Sequence, residues 1–251
     1  MKIIEGLEML RIPAVLANGP GSIYPVIISG GDAVILVDAG LPGQAGLIRE
    51  EVLKTGIPFE KLGNVIVTHA DMDHIGSLSA ILHERGGKAG VLAHELEKPY
   101  IECDMPPVRL NQIEAQLAFL SGEKFQQVKV MHDSLKANYR NFRAVVSDTL
   151  ADGQKLPGCG GITVLHTPGH TPGHISLFLE KHGILIAGDA LAVENGALVP
   201  CPKFTVLDGD AAARSLKKLA ELDIQTVVCY HGGLYNQDAG MRIKEIAGAL
   251  G

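Results

Sequence analysis

Tryptophan is absent from the 251 residues, and all aromatic side chains together make up 4%. A core must then be built mainly from Val, Ile, Leu and Ala. Long apolar runs are missing too. Nothing approaches the roughly 18–20 consecutive apolar residues of a transmembrane helix, so no membrane partner is expected. The opening Met1-Lys2-Ile3-Ile4-Glu5-Gly6 lacks the apolar stretch of a signal peptide. Positive charge is in deficit, with 22 Lys and Arg against 28 Asp and Glu and a net charge of −6. A nucleic-acid binder should carry a basic face, so nucleic acid is not an expected partner either. Cysteine is scarce. Cys103, Cys159, Cys201 and Cys229 show no metal-type spacing and read as free thiols of a cytoplasmic protein. Cys229 falls in an apolar strand and reads as core, and Cys159 reads as part of a surface turn.

What is present is an ordinary globular mixture, 46% hydrophobic and 20% charged. The length suits a single domain over residues 1–251, or two fused halves. Apolar runs predict strands near 26–29, 33–37, 64–67 and 90–93, with helices near 44–55 and 75–85. Gly56 and Gly86-Gly87 close those helices, as C-caps prefer. The same grammar returns later, with strands near 162–166, 175–179, 184–187 and 226–229 and helices near 210–222 and 239–250. Strands alternating with helices predict an α/β layered architecture. Between the halves, residues 95–147 form a segment too long for a plain connection. Its stretches 110–120 and 125–142 have helical amphipathicity. Tyr139 and Arg140 lie in the second of them and Arg143 directly follows it, where they could meet a substrate carboxylate or simply face solvent.

The polar residues that follow the apolar runs carry the chemistry. Val65-Ile66-Val67 leads into Thr68-His69-Ala70-Asp71-Met72-Asp73-His74, with four potential metal ligands in six residues. Imidazole with carboxylate donors suits zinc, iron or manganese. A polar loop whose Asp residues cap a helix is the alternative. Ile162 to Leu165 leads into His166-Thr167-Pro168-Gly169-His170-Thr171-Pro172-Gly173-His174, where two Pro-Gly pairs enforce turns that hold His170 rigidly. Asp189 follows the buried run 183–188, and a carboxylate there is costly without a partner. His231 follows Val227 to Tyr230, and Asp38 follows Val34 to Val37. Of the other histidines, His83, His132 and His182 carry no signal, and His94 reads as structural.

This ordered set resembles the metallo-β-lactamase fold superfamily, whose pattern is His-x-His-x-Asp-His, then a His in a Thr-Pro-Gly-His turn, an Asp in a Gly-Asp pair and a final His. The repeated Thr-Pro-Gly-His turn is most similar to the glyoxalase II and lactonase branches. The resemblance implies a four-layer αββα sandwich with residues 95–147 as a helical insertion beside the active site. It implies two divalent metal ions, zinc first, iron or manganese as alternatives. One would take His69, Asp71 and His170, the other Asp73, His74 and His231, with Asp189 shared. Asp38 and His174 would support the ligands. Asp73 and Asp189 would be the catalytic carboxylates of a hydrolase that cleaves an ester, lactone or thioester of a small molecule through a metal-bridging hydroxide.

One position departs from the family pattern, because Asp71 stands where the second His belongs. Counting Asp71, Asp73, Asp189 and a hydroxide against two divalent ions predicts a neutral site, less activating toward water and friendlier to manganese and iron. Three rival functions share the same residues: a phosphodiesterase or nuclease, a diiron redox protein, and a non-catalytic relative of the fold. The acidic charge disfavours the nuclease.

Overall fold

The computed structural model describes residues 1–16, 19–30, 33–158 and 160–250. Cys159 therefore lies outside the described residues. Two β-sheets face each other, and helices cover both outer sides. The first sheet has seven strands in the order Lys2–Ile4, Leu7–Met9, Val26–Gly30, Ala33–Val37, Asn64–Ile66, Gly90–His94 and Asp148–Leu150. Its last four strands run parallel. The second sheet has six, in the order Lys155–Leu156, Ile162–His166, Ile175–Leu179, Ile184–Gly188, Thr226–Cys229 and Gly233–Tyr235.

The strands are apolar at consecutive positions because both faces are covered. Val26, Ile28, Ile35 and Val37 point to the other sheet, where they meet Ile162, Val164, Leu177 and Ile186. The residues between them, Ile27 and Leu36, turn outward onto a cluster holding Ile48, Val52 and Leu78. On the far side, Leu185 and Val227 pack against Leu216, Leu219 and Ile243 from helices Gly209–Ala220 and Ala239–Ala249. These faces make the four αββα layers. No described helix is long and apolar enough to cross a membrane.

The helix expected at 75–85 is divided into Met72–Ile75 and Leu78–Glu84. Gly76 stands at the break because a Cβ there would meet Pro42 at 2.4 Å. Ser77 Oγ accepts from Gln44 N at 2.8 Å, which pins the same point. Residues 95–147 hold helices Lys98–Ile101, Val108–Leu117 and Gly122–Asn138. Among the described residues, three hairpins escape the sequence prediction: Lys2–Ile4 with Leu7–Met9, Ile12–Leu16 with Gly19–Ile23, and Leu191–Glu194 with Ala197–Pro200.

Candidate metal centre

Each ligand candidate leaves the end of a strand, and the two sheets bring those ends together. Ile175 N donates to Thr68 O at 3.0 Å, a direct tie between the two sheets beside the site. His69, His170 and Asp189 place one donor atom each within 4.8 Å of one another, and so do Asp73, His74 and His231. Asp189 lies between the groups. Its Oδ1 is 3.3 Å from His74 Nε2, and its Oδ2 is 3.3 Å from His231 Nε2 and 3.5 Å from His170 Nε2. Asp73 Oδ2 is 3.2 Å from His231 Nε2. Asp71 Oδ2 is 3.0 Å from His170 Nε2 and 3.4 Å from His69 Nε2. Donors bound about 2.0–2.2 Å from one tetrahedral ion stand roughly 3.3–3.6 Å apart.

The surrounding hydrogen bonds aim the imidazoles inward. His74 Nδ1 is 2.9 Å from Asp38 Oδ2, so Asp38 takes its proton-bearing edge and Nε2 faces the site. Asp38 also accepts from Thr68 N at 2.8 Å and from Thr68 Oγ1. The residue holds a left-handed φ of 64° to do so, a conformation that Asp tolerates better than most side chains. His69 Nδ1 rests on Thr68 Oγ1 at 3.1 Å. His174 is not among the converging donors. Its Nδ1 donates to Thr167, and its Nε2 accepts from Asp189 N at 2.9 Å. Gly188 allows that approach, since a Cβ there would lie 2.7 Å from His174 Nε2. Burial holds His174 well below the usual imidazole range, which keeps the accepting nitrogen free of a proton.

Three buried atoms have no hydrogen-bond partner among the described residues: His69 Nε2, His74 Nε2 and Asp189 Oδ1. All three face the same space. Orphaned buried polar atoms are costly, and a divalent cation satisfies two imidazole lone pairs and a carboxylate at once. The charges point the same way. Burial opposes a proton on His231, yet Asp189 and Asp73 outweigh it and push the residue up to about 10. His74 is raised well above the usual range against its burial, by Asp38, Asp189 and Asp73. Burial likewise opposes charge on Asp189, but His231 and His74 hold it well below the carboxylate range. Such a cluster of carboxylates calls for positive charge, and the residues present fit a metal.

Four residues of the site were not legible as such in the sequence. Arg109, on helix Val108–Leu117, donates from Nε to Asp71 Oδ1 at 2.9 Å and Oδ2 at 2.7 Å. Its Nη2 lies 2.7 Å from His170 Nε2. The segment 95–147 thus reaches the site through Arg109, whereas Arg140 lies over the Tyr139 ring at 4.8 Å. The neutral charge count is corrected here. Arg109 offsets Asp71 and returns one positive charge to the site. Glu97, fully buried, accepts from Ala70 N at 2.8 Å, Thr171 Oγ1 at 2.7 Å and Gly173 N at 2.8 Å, and so ties the first ligand loop to the Pro-Gly turns. Tyr230 packs its ring 3.8 Å from that of His74 and donates from Oη to Asp73 O. Cys201 Sγ lies 3.2 Å from His170 Nδ1. Its thiol is pushed up to about 12, chiefly by burial, and stays protonated. Beyond the site, His94 and His166 stack at 4.1 Å, and His132, read from sequence as carrying no signal, is buried and paired with Glu114 at 2.9 Å.

Histidines and carboxylates meeting at the strand exits of an αββα sandwich describe a metallo-hydrolase type of site. The chain belongs to the metallo-beta-lactamase superfamily, whose family model matches residues 18–231. It is 31% identical over 217 residues to the probable metallo-hydrolase YflN of Bacillus subtilis, covering 79% of this chain and 75% of that protein. A shorter stretch of 70 residues is 41% identical to a hydroxyacylglutathione hydrolase of Chelativorans, covering 27% of this chain and 25% of that one. The fold is also that of the metallo-beta-lactamase family protein TTHA1429 of Thermus thermophilus. The TM-score there is 0.74 at 23% identity, over 99% of this chain and 80% of that structure.

Proposed function

We propose that the chain is a dinuclear metal-dependent hydrolase that cleaves an ester, lactone or thioester of a small molecule. The observation that carries this reading is Asp189, a single buried carboxylate within 3.5 Å of histidines from both ligand groups. His69, Asp71 and His170 would hold one ion, Asp73, His74 and His231 the other, with Asp189 shared. Zinc suits two imidazoles with carboxylates best, and iron or manganese is the alternative. When bound, divalent ions supply Lewis acidity and bring the pKa of coordinated water from about 15.7 toward 7.

The chain's own residues do the rest. Asp73, at the open side of the site with its side chain 27% exposed, would take a proton from the attacking water at Oδ1 and return it to the leaving group. Asp38, Thr68, His174 and Tyr230 hold the donors still, so that little reorganisation remains at the moment of reaction. A cavity of about 380 Å³ opens on His170 and Asp189, walled by Pro168, Pro200, Val206, Ala212 and Leu216, with Lys203 also on its lining. That is the size and character of a small-molecule site, and apolar walls suit an acyl group. The stretch shared with the hydroxyacylglutathione hydrolase favours a thioester or ester over a phosphodiester. The chain is read as one catalytic domain with residues 95–147 inserted in it. Free thiols at Cys103, Cys201 and Cys229 support a reducing, cytoplasmic setting.

The test is metal analysis on protein purified without chelators, combined with assays on lactones, thioesters, aryl esters and bis-p-nitrophenyl phosphate. Stoichiometric transition metal with carbonyl-ester cleavage is the expected result. Protein without transition metal, or cleavage of the phosphodiester alone, would overturn the proposal.

A further inference from the structure

The two ligand groups differ in what already touches them. Among the described residues, Asp73 and Asp189 pair only with histidines. Asp71 instead faces a guanidinium, with Arg109 Nε at 2.7 and 2.9 Å from its two oxygens and Nη2 at 2.6 Å from Oδ2. Arg109 is itself fixed. Its Nη1 donates to Gln112 Oε1 at 2.7 Å and to Thr205 O. Asp71 and Arg109 are both largely shielded from solvent, with side chains 13% and 16% exposed.

The contact with His170 decides the matter. His170 Nε2 has two neighbours, Arg109 Nη2 at 2.7 Å and Asp71 Oδ2 at 3.0 Å. A guanidinium has no acceptor, so in the shorter contact Arg109 donates and Nε2 accepts. Asp71 takes its own hydrogen bonds from Arg109 instead. The proton of that imidazole then sits on Nδ1, toward Cys201 Sγ. A neutral imidazole nitrogen has one in-plane lone pair. The pair that accepts from Arg109 cannot at the same time be given to a metal. His69 Nε2 and His74 Nε2 have no such donor against them.

We propose that Arg109 is a resident cation that guards the His69–Asp71–His170 half of the centre, so that the two halves take metal unequally. The Asp73–His74–His231 half, with Asp189, fills first. The other half fills only as Nη2 withdraws from His170, while Asp71 is shared between the guanidinium and the ion. This rests on the two-metal reading above. Arg109 is a positioning residue in this role, acting through Asp71 and His170.

The test is a titration of chelator-stripped protein with zinc and with manganese, by calorimetry and by competition against a chromophoric chelator. Wild type should bind the second ion about tenfold or more weaker than the first, a gap of about 1.4 kcal/mol or more. Arg109→Gln should tighten the second ion by about tenfold and leave the first within about threefold. Arg109→Lys keeps the charge without the planar fork and should fall between, and it decides the question if the Gln variant does not fold. Two ions of equal affinity in wild type would overturn the proposal. So would a second ion weakened by Arg109→Gln, which would make Arg109 a prop for Asp71 rather than a guard. Absence of binding in every protein would instead overturn the two-metal reading itself.

Discussion

The two halves of the centre are built from similar donors and braced in different ways. His74 and Asp73 are held from the core side, by Asp38 at the exit of Ala33–Val37 and by Tyr230 at the exit of Thr226–Cys229. Both supports stand just past the ends of strands. In the other half His69 still rests on Thr68, but Asp71 and His170 are held from outside the sheets. Glu97 ties the loops together, and Arg109 and Cys201 touch the donors themselves. The difference teaches that one half is braced by the strand exits of the sandwich, while the other also answers to the helices of residues 95–147. A carboxylate at position 71 is tolerable because a cation from that segment meets it.

The substitution expected to act on both halves is Asp189→Ala. It removes the carboxylate between the two groups and leaves His74, His170 and His231 without their common partner. Both ions should be lost and turnover should fall by more than the roughly 10–100-fold typical of a supporting partner. Full metal content in this variant, by elemental analysis, would break the comparison at its root.

Glu97→Ala should strike stability hardest, because it strands three buried donors at once. A cost of about 3 kcal/mol or more follows from about 1–3 kcal/mol per unsatisfied group. Thermal unfolding measures it directly. The conservative Glu97→Gln keeps the shape and should recover part of the loss. An unchanged melting temperature in Glu97→Ala would show that the loops do not depend on this tie.

Asp38→Ala sharpens the comparison from the other side. It frees His74 Nδ1 and should weaken metal at the Asp73–His74–His231 half by about 10–100-fold, with less effect on the other half. Stepwise affinities read both halves in one titration. Equal weakening of the two steps would contradict a split in their bracing.

Asp71→His has the smallest expected benefit, although it restores the family pattern. Alone, it leaves Arg109 without its carboxylate beside His170. Removing one member of a buried pair costs up to about 3–5 kcal/mol, so the single variant should be less stable than wild type. Joined with Arg109→Gln, the loss should largely disappear. Additive losses in this double-mutant cycle would show that the two residues are not coupled.

Much of this was legible before the structure. The strand exits carry the ligand candidates, and the apolar runs that precede them fall where the sequence places them, at Ile162–His166 and Thr226–Cys229 for example. Arg109 was not legible. It is distant in sequence from Asp71, the single cation of helix Val108–Leu117, and no local pattern marks it. The usable signal was indirect. A carboxylate in place of a neutral imidazole asks for a compensating cation, and residues 95–147 were the natural place to look for it. Glu97 hid for the same reason, since burial of a lone Glu in a polar stretch is decided by tertiary packing. The hairpin of Ile12–Leu16 with Gly19–Ile23 was obscured by Pro13, Gly19, Pro20 and Gly21, residues that weaken a strand signal.

The most direct measurement is a crystal structure of the protein grown with substoichiometric and then excess zinc, with anomalous scattering collected at the zinc edge. Two peaks are predicted, one on each side of Asp189. The peak at Asp73, His74 and His231 should appear first, and the peak at His69, Asp71 and His170 only in excess zinc, with Arg109 Nη2 moved off His170. No peak beside Asp189, or a first peak at His69 and His170 with Arg109 unmoved, would contradict it.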